Sequence, residues 1–140
     1  MEFIDIHSHY AWDIDDGITS LEDAKKALVK ASKQGIKQII ATPHIIPGTT
    51  NNIDFIKERI KEFIKLAKNY DIKGYYGSEV MLNSDCLTSL KNDEFISLNN
   101  GPYLLGISIN SIINPQIDLQ NKELFLILVN LTLVQQFHYF

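Results

Sequence analysis

Asp5-Ile6-His7-Ser8-His9, followed closely by Asp13-Ile14-Asp15-Asp16-Gly17, decides how this chain is read. Alternate residues of a strand point to one face. His7 and His9 therefore stand side by side at the end of a short apolar strand over residues 2–9, built on Phe3, Ile4 and Ile6. Two imidazoles so placed can bind one cation, and neutral imidazole nitrogen suits zinc, manganese, iron or nickel. The aspartates that follow add hard oxygen ligands. A bare His-x-His is equally at home in a polar loop as two solvated histidines, so the reading rests on what the rest of the chain supplies.

Downstream, Ser20 reads as a helix N-cap with Asp23 as its capping-box partner. Leu21, Ala24, Leu28 and Ala31 recur at helical spacing and predict one buried face. Lys25, Lys26, Lys30 and Lys33 form a solvated face, and Gly35 stops the helix. An apolar strand over 36–41 runs into Thr42-Pro43-His44. Pro43 cannot donate to a sheet ladder, so the strand is expected to end there, leaving His44 in the loop beyond it. Ile53, Ile56, Ile60, Phe63, Ile64 and Ala67 mark a second amphipathic helix. A third strand over 72–76 leads into Gly77-Ser78-Glu79.

Ser84 is expected to cap a short helix over 85–91, residues 95–98 read as strand-like, and Asn99-Asn100-Gly101-Pro102 as a turn. A fourth strand is expected over 103–109. The apolar run over 119–134 fits helix or strand equally. Strand, loop and helix thus alternate three times, which argues for a parallel sheet. Parallel α/β proteins place ligand sites at the carboxyl ends of their strands. His7, His9, His44 and Glu79 all fall at such ends, and together they point to a metal site.

The composition fits this picture. The 140 residues, 45% hydrophobic and 21% charged, suffice for a single domain with its own core. A net charge of -4 gives no reason to expect nucleic acid or an anionic membrane as partner. Cys86 is the single cysteine, so no internal disulfide forms and a reducing compartment is expected. The N-terminus lacks an apolar signal region. The apolar run over 124–134, interrupted by Asn130 and Thr132, is too short for a membrane span. A cytoplasmic protein is expected; its oligomeric state is not encoded in any pattern found.

Asp5-Ile6-His7-Ser8-His9, Asp13-Ile14-Asp15-Asp16-Gly17, Ala41-Thr42-Pro43-His44 and Tyr76-Gly77-Ser78-Glu79-Val80 resemble the polymerase and histidinol phosphatase (PHP) superfamily. The branch they resemble most is the bacterial manganese-dependent protein-tyrosine phosphatases of capsule and exopolysaccharide loci. The resemblance covers roughly residues 2–105. It implies an α/β fold, a partial (β/α)7 PHP-type barrel of parallel strands with metals at their C-terminal ends. His7 and His9 then resemble the first metal pair, Glu79 the carboxylate that bridges metals, and His44 and Asp16 further ligands. The resemblance implies that His7, His9 and Glu79 act in catalysis through the metal. The implied cofactor is Mn2+, two or three ions, with iron or zinc as alternatives, and the implied chemistry is phosphoester hydrolysis by metal-activated water. The implied substrate is a phosphotyrosine protein, a bacterial tyrosine autokinase of polysaccharide export. No Cys-x5-Arg sequence is present, which excludes a thiolate phosphatase mechanism.

The chain also departs from that pattern. The fourth strand of the family carries a glutamate ligand, and Tyr103-Leu104-Leu105-Gly106-Ile107-Ser108 has none. A later histidine followed by Glu-Arg has only a faint counterpart around His138, which reads as a tail residue. The family's Asp-x-His pair would lie beyond residue 140. Residues 105–140 diverge, and the domain spanning 1–140 reads as a truncated or frameshifted copy, incomplete at its C-terminus. Two other readings therefore stand beside the tyrosine phosphatase: a histidinol-phosphate-type small-molecule phosphatase and a non-catalytic remnant. Trp12 reads as a packing residue beside the site, Arg59 as a surface charge and Cys86 as a small apolar residue.

Overall fold

The structure, a computed structural model, describes residues 1–108, 116–119 and 122–130. His138 and the end of the apolar run, 131–134, lie outside the described residues. The element order is β1 (Phe3–Ser8), α1 (Leu21–Lys33), β2 (Ile36–Ala41), β3 (His44–Ile45), α2 (Ile53–Lys68), β4 (Lys73–Tyr76), β5 (Glu79–Met81), α3 (Cys86–Lys91), β6 (Tyr103–Ser108), β7 (Gln116–Leu119) and β8 (Lys122–Asn130).

Local signals account for the helices. The Ser20 hydroxyl oxygen accepts the Asp23 N–H at 3.1 Å and donates to the Asp23 carboxylate at 2.8 Å, satisfying an orphan donor of α1. Gly35 takes φ +83° just past the helix, a conformation that costs glycine nothing. Ala24, Leu28 and Ala31 are buried. Leu21, expected with them, is the first residue of the helix and is exposed. In α2 the Asn52 side chain accepts the Phe55 N–H at 3.0 Å, and Ile56, Ile60, Phe63 and Ala67 form the buried stripe. Burying Phe63 alone contributes roughly 2–3 kcal/mol. The cap of α3 is Asp85 rather than Ser84, and it makes no side-chain cap hydrogen bond.

The strands form two sheets. In the first, β1, β2 and β4 are parallel neighbours in that order. In the second the order is β3-β5-β6-β8-β7, parallel except for the antiparallel pair β7 and β8. That pair departs from the expected all-parallel arrangement and makes the 122–130 part of the ambiguous run a strand. Residues 95–98 form no strand; Leu98–Asn100 is a tight turn in which Asn99 and Asn100 take φ of 50° and 55°, the left-handed region that asparagine tolerates well.

One feature was not expected. β2 and β4 do not simply end in loops. Each stops for two residues, Thr42-Pro43 and Gly77-Ser78, and resumes as β3 and β5 in the second sheet. His44 and Glu79 therefore begin short strands. Pro43 has no N–H, so the ladder must break there. It is carried across the break by the Thr42 N–H to the Ser8 carbonyl at 2.8 Å and the Glu79 N–H to the Pro43 carbonyl at 2.9 Å. The second break needs Gly77, since a Cβ there would lie 2.8 Å from Ile40 Cγ2 and 2.9 Å from Leu98 Cδ2. The core runs under both sheets and includes Leu28, Ile39, Ile45, Ile60, Phe63 and Leu104.

Candidate metal centre

The two breaks aim their residues at the end of β1. His7 Nε2 lies 3.1 Å from Glu79 Oε2, His9 Nε2 3.2 Å and His44 Nδ1 3.1 Å from the same oxygen. The ring nitrogens of His7 and His9 are 3.3 Å apart. Register explains the last contact: His44 and Glu79 are paired on neighbouring parallel strands. Asp16 comes from the loop after β1 and places Oδ1 3.2 Å from His44 Nε2. All five residues singled out in the sequence thus come together.

Glu79 is 1% exposed, and neither carboxylate oxygen has a hydrogen bond of proper geometry. An unpartnered buried carboxylate is costly. Three imidazole nitrogens crowd one of its oxygens without serving it as aligned donors. Once His9 gives up its proton, these are lone pairs facing one point, which a cation would satisfy. Two groups of this kind adjoin: His7, His9 and Glu79, and His9, Asp15, Asp16 and His44, each with ligand atoms within 4.8 Å of one another. The residues present therefore fit a divalent metal, with mixed nitrogen and oxygen donors of the kind manganese, iron or zinc accept.

Asp15 has a different part from its neighbour. Its Oδ2 lies 2.9 Å from His9 Nδ1 and accepts the His44 N–H at 2.9 Å, while Oδ1 accepts the Gly17 N–H at 2.9 Å. A carboxylate at Nδ1 fixes the ring so that Nε2 faces Glu79, the usual way a ligating histidine is oriented. The sequence offered Asp15 only as one of several hard oxygen ligands in the loop, and its bond to the His9 ring was not anticipated. Gly17 lets the loop close on His9: a Cβ would sit 2.4 Å from His9 Cβ. Replacing Gly17 by alanine is expected to displace His9 and weaken metal binding about 10–100-fold, as loss of an outer-shell support does; titration calorimetry with Mn2+ measures it.

The electrostatics have a definite sign. Burial pulls the His9 imidazole down, but Asp15 and Glu79 outweigh it and raise its pKa to about 9. Burial pushes the Glu79 carboxyl up, and the imidazoles of His7 and His9 outweigh that, holding it at about 2. For Asp15, burial is likewise outweighed by His9 and two backbone N–H groups, leaving it at about 2. In the metal-free chain the His9 contribution to stability is present below its unfolded pKa and is lost as pH rises through about 9. The carboxylate contributions are present above the ordinary carboxylate range and are lost as pH falls through about 2. A metal must displace the His9 proton. Calorimetry in buffers of different ionisation enthalpy is expected to find about one proton released per metal bound near pH 7.5, and affinity rising with pH toward 9. Proton-neutral uptake at pH 7.5 would contradict this assignment.

Arg59 is not the surface charge expected from its place in α2. Its side chain is 16% exposed, Nη1 donates to the Trp12 carbonyl at 2.8 Å, and Nε pairs with Glu62 at 3.0 Å. The guanidinium lies 5.1 Å from the Trp12 ring and 5.2 Å from that of Phe55, within cation–π range. It pins the loop after β1 to α2, and Trp12 packs on it. Cys86 is buried, and burial pushes its thiol up, the opposite of an activated nucleophile.

Comparison with known proteins agrees with this geometry. The family model described as capsular polysaccharide synthesis, CpsB/CapC, matches residues 3–111. Tyrosine-protein phosphatase CpsB of Streptococcus pneumoniae is 34% identical over 105 residues, covering 73% of this chain and 43% of that protein. Tyrosine-protein phosphatase YwqE of Bacillus subtilis is 31% identical over 105 residues, covering 73% of this chain and 41% of its own. A chain from the crystal structures of YwqE and CpsB, metal-dependent tyrosine phosphatases, superposes with a TM-score of 0.67 at 28% identity. The superposition covers 76% of this chain and 44% of the other. The chain spans less than half the length of the curated relatives it matches.

Proposed function

We propose a function on one premise: the chain belongs to the CpsB/CapC family of capsular polysaccharide synthesis proteins. On that premise it is a metal-dependent phosphatase whose substrate is a phosphotyrosine protein, a bacterial tyrosine kinase of polysaccharide export. Mn2+ is the metal, held by His7, His9, Asp16, His44 and Glu79. The relatives named above are tyrosine phosphatases, which favours this substrate class over the histidinol-phosphate alternative. The observation that carries the proposal is the convergence of three histidines on the buried, unpartnered carboxylate of Glu79.

The bound metals would neutralise phosphoryl oxygens and activate water. The chain's own residues do the rest. Glu79 supplies negative charge that would hold the cations, and in an acidic protein it is those cations that would let a phosphate dianion approach. Asp15 keeps the His9 ring in one orientation, and Arg59 keeps the loop carrying Asp15 and Asp16 against α2. No described helix is long and apolar enough to cross a membrane, and we place the protein in the cytoplasm. Metal analysis of purified protein is expected to find Mn2+ when it is grown with Mn2+, with the His7→Ala variant losing it; protein free of transition metal in both would overturn the reading.

A second reading has one observation in its favour. On β6 the residue in register with Glu79 is Leu105, buried and apolar, and no residue of Tyr103–Ser108 is acidic. A chain that binds metal without efficient turnover would look the same from β1 to β5.

A further inference from the structure

The metal centre opens onto a cleft of about 560 Å³. Asp16 and His44 form part of its wall, and Ile14, Ile46, Phe55 and Met81 line much of the remainder. The pairing of β3 with β5 explains why ligands and apolar side chains share one wall. His44 pairs with Glu79 and Ile45 with Val80. Ile45 and Val80 are fully buried on the core side. Alternation along β5 sends Met81, two residues after Glu79, to the face that carries Glu79, and Ile46, directly after β3, lines the cleft beside it. Ile14 likewise precedes Asp15 and Asp16 directly.

Two of these side chains are large, apolar and exposed, Ile46 at 39% and Phe55 at 41%. Exposed apolar groups beside a cluster of charged ones suit a ligand with both characters. The cleft is also preformed. The Asn51 side chain closes the 46–51 loop on itself, donating to the carbonyls of Ile46 and Thr49 and accepting the Ile46 N–H. The guanidinium of Arg59, one turn along α2, backs the Phe55 ring at 5.2 Å. Its Nη1 donates to the Trp12 carbonyl and lies 3.7 Å from Asp13, and its Nε pairs with Glu62, so it steadies the wall.

Resting on the phosphatase reading above, we propose that this cleft holds the aromatic ring of an aryl phosphate while its phosphoryl group sits at the metal centre, with Phe55, Ile46 and Met81 as the specificity-determining residues. An aromatic ring can stack on Phe55 and meet the Met81 thioether, contacts that favour aromatic over alkyl groups. The one-carbon arm of a phosphoserine would leave the cleft unfilled.

The test needs no turnover. Calorimetry on the Mn2+-loaded chain compares phenylphosphonate, methylphosphonate and inorganic phosphate, whose binding involves no bond cleavage. Phenylphosphonate is expected to bind at least about tenfold more tightly than methylphosphonate, from the apolar area the ring buries. Phe55→Ala, and independently Ile46→Asn, are expected to bring the two phosphonates within about threefold of each other; both positions are exposed, so either variant can serve if the other folds poorly. Equal binding of the two phosphonates, with inorganic phosphate still bound, would overturn the cleft assignment and leave the metal-dependent phosphatase reading standing. A phenyl preference that survives both substitutions would place the ring elsewhere and overturn it too. Failure of all three probes to bind the metal-loaded chain would overturn both readings.

Discussion

Replacing Glu79 by glutamine is expected to remove metal binding and to destabilise the metal-free protein as well. Glutamine keeps the shape of the side chain but removes the charge on which His7, His9 and His44 converge. In the metal-free chain burial is outweighed by the imidazoles of His7 and His9, which hold the Glu79 carboxyl at about 2, so its charge contributes to stability at neutral pH and glutamine forfeits that contribution. Removing one partner of a buried ion pair typically costs about 3–5 kcal/mol, and a loss of that order is expected in the metal-free variant. The metal-linked part behaves differently. A ligand at a hundred times its Kd stabilises the native state by about 2.7 kcal/mol. Thermal unfolding with and without Mn2+ is expected to show a clear upward shift for the parent chain and almost none for Glu79→Gln. An equal shift in both would mean that Glu79 is no ligand and that the three histidines bind metal without it.

The parts of the site that were legible in the sequence are those carried by strand periodicity. His7 and His9 could be placed on one face because they are two apart on an apolar strand. His44 and Glu79 could be placed at the same level because each follows a strand. The limits of α1 were legible from Ser20 and Gly35, where capping chemistry is local, whereas the Asn52 cap of α2 was not read from the sequence. The restart of β2 as β3 and of β4 as β5 was not. Two- and three-residue strands carry no periodic signal, and Pro43 read alone says only that a ladder stops. The orienting role of Asp15 was hidden because Asp15 and Asp16 are chemically identical neighbours, separated only by which one the loop turns inward. Arg59 was misread for a similar reason. Between Glu58 and Glu62 on a helix it looks solvated, and its burial depends on Trp12, 47 residues away in sequence. Long-range partners of that kind leave no mark on local composition.

With Mn2+ present, this chain is expected to hydrolyse p-nitrophenyl phosphate or a phosphotyrosine peptide at least about a hundredfold more slowly than a full-length relative such as CpsB of Streptococcus pneumoniae. The reason lies on β6. Phosphoryl transfer depends on enough well-placed positive charge around the transferring group. Cations are held only where anionic or imidazole ligands are supplied. Here β1, β3 and β5 supply them at one level, and the next strand in the sheet supplies Leu105, with Gly106 and Ile107 after it. His7, His9, His44, Asp16 and Glu79 can hold one ion firmly, and a second would lack a carboxylate on its β6 side. Loss of one preorganised electrostatic contact to a transition state typically costs about 10²–10³ in rate. His7→Ala is expected to remove whatever turnover remains, which separates the site's own activity from a contaminant's. Turnover at the level of the full-length relative, abolished by His7→Ala, would mean that the ligands on β1, β3, β5 and the loop after β1 suffice, and that the leucine on β6 costs the reaction nothing.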